Sequence, residues 1–165
     1  AVGVSVARAL HPALGLKWPN DIWLNDRKLA GILIETAAIG TGHYVVVGVG
    51  INITPPDAAG LSTPPAGLQE LLPHIDAPAT LRRVAPAVLQ ALRLFEAQGL
   101  APFQAAFGAR DVLRDRPVQL SDGVCGIARG VDERGALLVH TSGGMTRVNS
   151  AEVSVRPVLA PDGNR

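Results

Sequence analysis

Lys17, Asn20, Asp21, Asp26 and Lys28 lie close together in the segment LKWPNDIWLNDRKLAGILIET, residues 16–36, which otherwise has the alternation of a sheet. A lysine at the mouth of a strand, facing an Asn- and Asp-rich turn, can grip an anion and manage a proton. From Lys28 to Thr36 the pattern KLAGILIET predicts a largely buried strand, with Gly31 where a side chain would block close approach. A surface hairpin with Asn and Asp in its turns and Lys at its edge would read the same way. A second cluster, HYVVVGVGINI (residues 43–53), ends an apolar strand on Gly48, Gly50 and Asn52, and positions without side chains let a flat ligand lie against backbone. The dinucleotide fingerprint is excluded, because its third glycine is replaced by Ile53 and Pro55-Pro56 forbids a helix there. Asn52 offers a donor and an acceptor in one plane, which suits the N6 and N7 edge of adenine and equally suits capping a turn.

Several elements must hold these residues in place. Val2, Val6, Ala9 and Leu10 have helical spacing, and Pro12 with Gly15 ends that helix before three or four sheet strands. Residues 54–67, TPPDAAGLSTPPAG, have no periodicity and predict a loop over one end of the sheet, with the character of a mobile lid. GLQELL is a short helix. Thr80 is the expected N-cap of a long one over residues 80–97, with Leu81, Val84, Val88, Leu92 and Phe95 as its buried stripe, a bend at Pro86 and a stop at Gly99. Residues 102–110 read as a further helix, and the Asp115-Arg116-Pro117 turn marks a boundary. Beyond it, VQL, VCGIARGV, ALLVHT, TRV and EVSVR are short strands separated by Asp122-Gly123, Glu133-Arg134-Gly135 and Gly143-Gly144. Trp18 and Trp23 are expected in the core or at its rim.

Composition narrows the chemistry. A chain of 165 residues suffices for one domain with a small appendage, and a net charge of +1 argues against a broad nucleic-acid footprint. The single cysteine, Cys125, permits no internal disulfide, and His11, His43, His74 and His140 show no metal-ligand spacing, so no metal site is expected. AVGVSVARAL lacks a basic leader and is too short for a membrane span; a cytoplasmic setting without membrane contact is expected.

KWPND, then KLAGIL, then VVGVGIN, in this order and at these separations, resemble the biotin protein ligases, which join biotin to a lysine of carboxylase carrier domains. Residues 116–157, with GVCGIARGVDERGALLV and SAEVSVR, are similar to the small barrel that closes those enzymes. The resemblance implies an α+β fold: a mixed β-sheet covered by helices over residues 1–113, lacking its N-terminal part, and an SH3-like barrel over 114–160. It implies ATP, Mg2+ and biotin as reactants, and a biotin carboxyl carrier domain of acetyl-CoA carboxylase as partner. No DNA-binding region falls within the chain, and a homodimer is left open. Lys28 is the expected cation between the biotin carboxylate and the α-phosphate of ATP, and Asp21 the acceptor or orienter of the carrier lysine's proton. Lys28, Gly31, Leu33, Gly48 and Ile51 are expected on the biotin side, and Lys17, Asn20, Lys28 and Asn52 on the nucleotide side. Two departures stand out: Ser150-Ala151-Glu152 replaces the usual Ser-Gly-Glu, and no GRGRxGR-type loop occurs. The chain is therefore expected to be a fragment, aggregation-prone and unable to biotinylate a carrier alone. A lipoate ligase or octanoyltransferase is the alternative enzyme, and a non-catalytic carrier-docking module the alternative outside catalysis.

Overall fold

A computed structural model describes residues 1–40, 42–61, 63–149 and 155–158. The first half builds a four-stranded sheet of β1 (Gly15–Lys17), β2 (Asp21–Leu24), β3 (Arg27–Ile39) and β4 (Gly42–Ile51), in that order. The expected mixed sheet is not found: all pairings between these strands are antiparallel. The turns between them are too short for the crossover that parallel strands require. Among the described residues, parallel contact is confined to the isolated bridges Leu16 to Asp111 and Lys28 to Pro65.

Alternation sorts the strands by face. Leu16, Ile22, Ala30 and Ile32 are buried on one side, against α1 (Val2–Leu10) and α2 (Ala77–Gln98), in a core that includes Val6, Leu14, Leu29, Leu68 and Val84. The opposite face carries Lys17, Asp21, Gly31 and Gly50, consecutive register partners across all four strands.

The long helix departs from its predicted details. Asp76, not Thr80, is the N-cap, accepting from the Ala79 N–H at 2.7 Å, with a proline in the first turn. Thr80 lies inside and donates its hydroxyl to the Asp76 carbonyl. A carboxylate cap followed by proline was the stronger start signal. Of the expected stripe, Val84 is buried and Val88 and Leu92 are partly so, but Leu81 and Phe95 are exposed. The helix runs through Pro86 and stops at Gly99, whose φ of 65° is a left-handed value that favours glycine.

After α3 (Ala101–Gly108), a second antiparallel sheet has the order β8-β7-β6-β5-β9, from β5 (Pro117–Leu120), β6 (Cys125–Val131), β7 (Leu137–Thr141), β8 (Gly144–Val148) and β9 (Val155–Pro157). Among the described residues β8 and β9 remain its two edges, so no closed barrel is formed. Residues 152–154 of the last predicted strand, and the Ser150-Ala151-Glu152 departure, lie outside the described residues. Val118, Leu120, Ala128, Leu137 and Val139 form its core together with Trp18, whose indole Nε1 donates to the Gly135 carbonyl at 2.9 Å. Residues 110–113 lie against β1: Leu16 N–H donates to Arg110 O at 2.7 Å and Val112 N–H to Leu16 O at 3.0 Å. Arg116 pairs with Asp26 at 2.5 Å. These contacts carry β9 to the open face of the first sheet.

Candidate active site

Lys28 and Gly31 are an odd number of positions apart, so a regular strand would point them to opposite faces. The ladder between β2 and β3 shifts register here: Ile22 pairs with Ala30, and Trp23 with Lys28. One extra residue in β3 turns Lys28 onto the face of Gly31, while Leu29 and Ala30 both go into the core. Lys28 Nζ then reaches Asp21 Oδ1 at 2.6 Å. The pair lies directly over Gly31, where a Cβ would stand at ordinary contact distance, 3.4 Å from Lys28 Nζ and 3.8 Å from Asp21 Oδ1.

Asp21 is shared between two cations, for Lys17 Nζ lies 3.7 Å from its Oδ2. Burial pushes the Lys17 ammonium below its ordinary value; the pull of Asp21 opposes this, and the nearby Lys28 and Arg156 charges add to the lowering. Lys17 also stands 5.6 Å from the centroid of the Trp23 ring. The Trp23 indole N–H is buried and has no partner among the described residues.

These groups line a cleft of about 570 Å³, with Lys17, Asp21, Trp23, Lys28, Gly31 and Gly50 on the sheet, Asn52 at its end, residues of the 54–67 loop on one side and Arg156 on the other. Three cations against Asp21 and Asp26, over a floor of two glycines, suit an anion attached to a flat or apolar body. Asn52 is at the cleft, but its Nδ2 donates to the Ala66 carbonyl at 3.1 Å, so its amide holds the loop. Asn20 and Leu33 line a neighbouring cleft of about 410 Å³ that also touches Lys17 and Asp21. Asn20 Nδ2 donates to Ile32 O at 2.7 Å, and Ile32 N–H donates back to Asn20 O at 2.9 Å, which clips the turn to β3. Gly48 pairs with Leu33 on the open face. Ile51 does not share that face; it lines the apolar groove against α2, the opposite side of the alternation.

Sequence reasoning missed Arg156, which no local pattern marks and which only the placement of β9 beside β5 brings here. Trp23 is at the core rim as expected, 4% exposed, and also lines the cleft. Among the described residues no group of three or more His, Cys, Asp or Glu side chains could hold a metal ion. No described helix is long and apolar enough to cross a membrane.

An antiparallel sheet with helices on one face thus carries a lysine-carboxylate-lysine row on the other, with Arg156 and Pro157 of the second sheet beside it. Residues 11–52 match the Biotin/lipoate A/B protein ligase family, and residues 115–156 match the Biotin protein ligase C terminal domain. The Biotin--[acetyl-CoA-carboxylase] ligase of Paracoccus denitrificans is 36% identical, over 89% of this chain and 69% of that protein. The Bifunctional ligase/repressor BirA of Escherichia coli is 34% identical, over 94% of this chain and 51% of its own length. The apo biotin protein ligase of Aquifex aeolicus superposes with a TM-score of 0.81 at 25% identity, over 95% of this chain and 73% of that one. The same ligase in complex with biotin and ATP gives 0.81 over 69% of its chain. The chain belongs to the biotin protein ligase family, and it spans about half the length of the BirA relatives it matches.

Proposed function

We propose that this chain carries the reaction centre of an ATP-dependent ligase that activates biotin as biotinyl-5'-adenylate and transfers it to a lysine of a biotin carboxyl carrier domain. The observation that supports this most is the Lys17-Asp21-Lys28 cluster at one end of a glycine-floored row. Biotin is apolar except at its ureido ring and carboxylate, so its body suits the open face along Gly31 and Gly48 and its carboxylate suits Lys28. In the first step a carboxylate oxygen attacks the α-phosphorus, a mixed anhydride forms and pyrophosphate leaves. Two anions must meet, and Lys28 stands between them as a fixed cation, with Lys17 and Arg156 available to the remaining phosphate charge. In the second step the carrier amine attacks the acyl carbon, an amide forms and AMP leaves. Asp21, which holds Lys28 before the anions arrive, is then free to take the proton.

Magnesium would enter with ATP, since phosphate oxygens and water supply most of its ligands in nucleotide sites. An SH3-like closure of the C-terminal sheet, a domain division at 113/114, a cytoplasmic setting and pairing of two copies belong to the same reading. The Aquifex aeolicus ligase with bound biotin and ATP supports the reactants by likeness. Incubating the full protein with ATP, magnesium and either biotin, lipoate or octanoate, then analysing products by mass spectrometry, tests the substrate. Biotinyl-adenylate should accumulate; adenylates of lipoate or octanoate alone would transfer the assignment to the other branch of the family.

A further inference from the structure

Lys28 stands beside a bulge, where the ladder to β2 shifts register between Ile22 and Trp23 and local pairing is disrupted. Its backbone is held from elsewhere. The Lys28 N–H donates to Pro64 O at 2.9 Å, and its carbonyl accepts from Ala66 N–H at 2.8 Å. Residues 64–66 thus act as a short extra strand along the start of β3, with the parallel bridge Lys28 to Pro65. Glu70 fastens that segment. Its Oε1 accepts from Gly67 N–H at 2.9 Å and from Arg27 at 3.1 Å, and its Oε2 takes the second guanidinium nitrogen of Arg27 at 2.5 Å. Arg27 precedes Lys28 in the chain, so the bonds close a ring: Arg27, Glu70, Gly67, Ala66, Lys28. The Arg27 guanidinium, then the Gly67 N–H, hold the Glu70 carboxyl below its ordinary range.

We propose that Glu70 is a positioning residue for Lys28, fixing through Arg27 and residues 64–67 the backbone from which the lysine reaches the reacting anions. The proposal rests on the role given to Lys28 above. Both partners of the Arg27–Glu70 pair are about one-third exposed (33% and 31%), and such pairs contribute little to global stability. Removing Glu70 should therefore loosen Lys28 without unfolding the protein.

A double-mutant cycle of Glu70→Ala and Lys28→Ala, in the full protein, tests it with two readouts. Amide exchange at Lys28 and Ala66 should quicken by about tenfold or more in Glu70→Ala, with the C-terminal sheet unchanged. The kcat of biotin-dependent adenylate formation should fall by about tenfold in the wild-type background and no further in Lys28→Ala. Glu70→Gln, which keeps an acceptor for Gly67, should recover most of the loss. Unchanged exchange at Lys28, or an equal loss in both backgrounds, would overturn the proposal. If the wild-type protein forms no adenylate, the reading of its function fails instead, and the exchange result still decides whether Glu70 holds Lys28.

Discussion

Lys17 illustrates a residue kept against stability. Its ammonium is disfavoured chiefly by burial, so its folded pKa lies below the ordinary 10.5. Between the lowered value and 10.5 the unfolded chain binds more protons than the folded one, so stability rises with pH there, and the cost is full below it. Lys17→Met keeps the packing over Trp23 and removes that cost. The variant should melt higher than wild type at neutral pH, with the gain shrinking as pH approaches 10.5, while ATP binding weakens; thermal melts across pH and Trp fluorescence titration check both. Asp21→Asn should slow transfer from preformed biotinyl-adenylate by roughly a hundredfold more than it slows adenylate formation, because only transfer needs the proton acceptor. Equal slowing of both half-reactions would reduce Asp21 to the partner that holds Lys28. That Lys17, Asp21, Lys28 and Gly31 lie together was legible because contiguous residues on neighbouring strands cannot separate far. Ile51 was not separable in this way: adjacent residues of a strand face opposite ways, and Gly50 lines the cleft while Ile51 lines the groove against α2.

At the scale of elements, the 54–67 loop divides into two parts. Its base is fixed: Gly67 sits so close to Pro55 that a Cβ would come within 2.5 Å, Leu68 N–H donates to Asn52 O at 2.8 Å, and residues 64–66 bond Lys28. Its front, residues 56–61, is exposed, with Leu61 presented at the cleft. Lid movement therefore belongs to the front alone. Amide exchange at Ala58, Ala59, Gly60 and Leu61 should slow when a non-hydrolysable adenylate analogue binds, and exchange at Ala66 and Leu68 should not. Slowing at neither place, with binding confirmed separately, would remove the lid. Lack of periodicity and paired prolines made the loop legible; its docked base was not, since backbone bonds to β3 leave no side-chain pattern.

For the whole molecule, Trp18 is where two cores meet: it leaves the first sheet between Lys17 and Pro19 and is 4% exposed within the second core. Trp18→Ala should cost about 3–5 kcal/mol, and should split a single unfolding transition into two, seen by calorimetry. The tryptophan was legible as a packing residue, but its partner, Gly135, lies far along the chain and no sequence periodicity joins them. The same long-range placement hid Arg156. The central claim, that a lysine on a bulged strand brings a carboxylate and a nucleotide together, is tested most directly by pyrophosphate release in the full protein and in Lys28→Met. Release should depend on both biotin and ATP, and the variant should lose roughly a hundredfold or more, about 2–4 kcal/mol, with its melting temperature little changed. Release that ignores biotin, or a Lys28→Met rate near that of wild type, would contradict it.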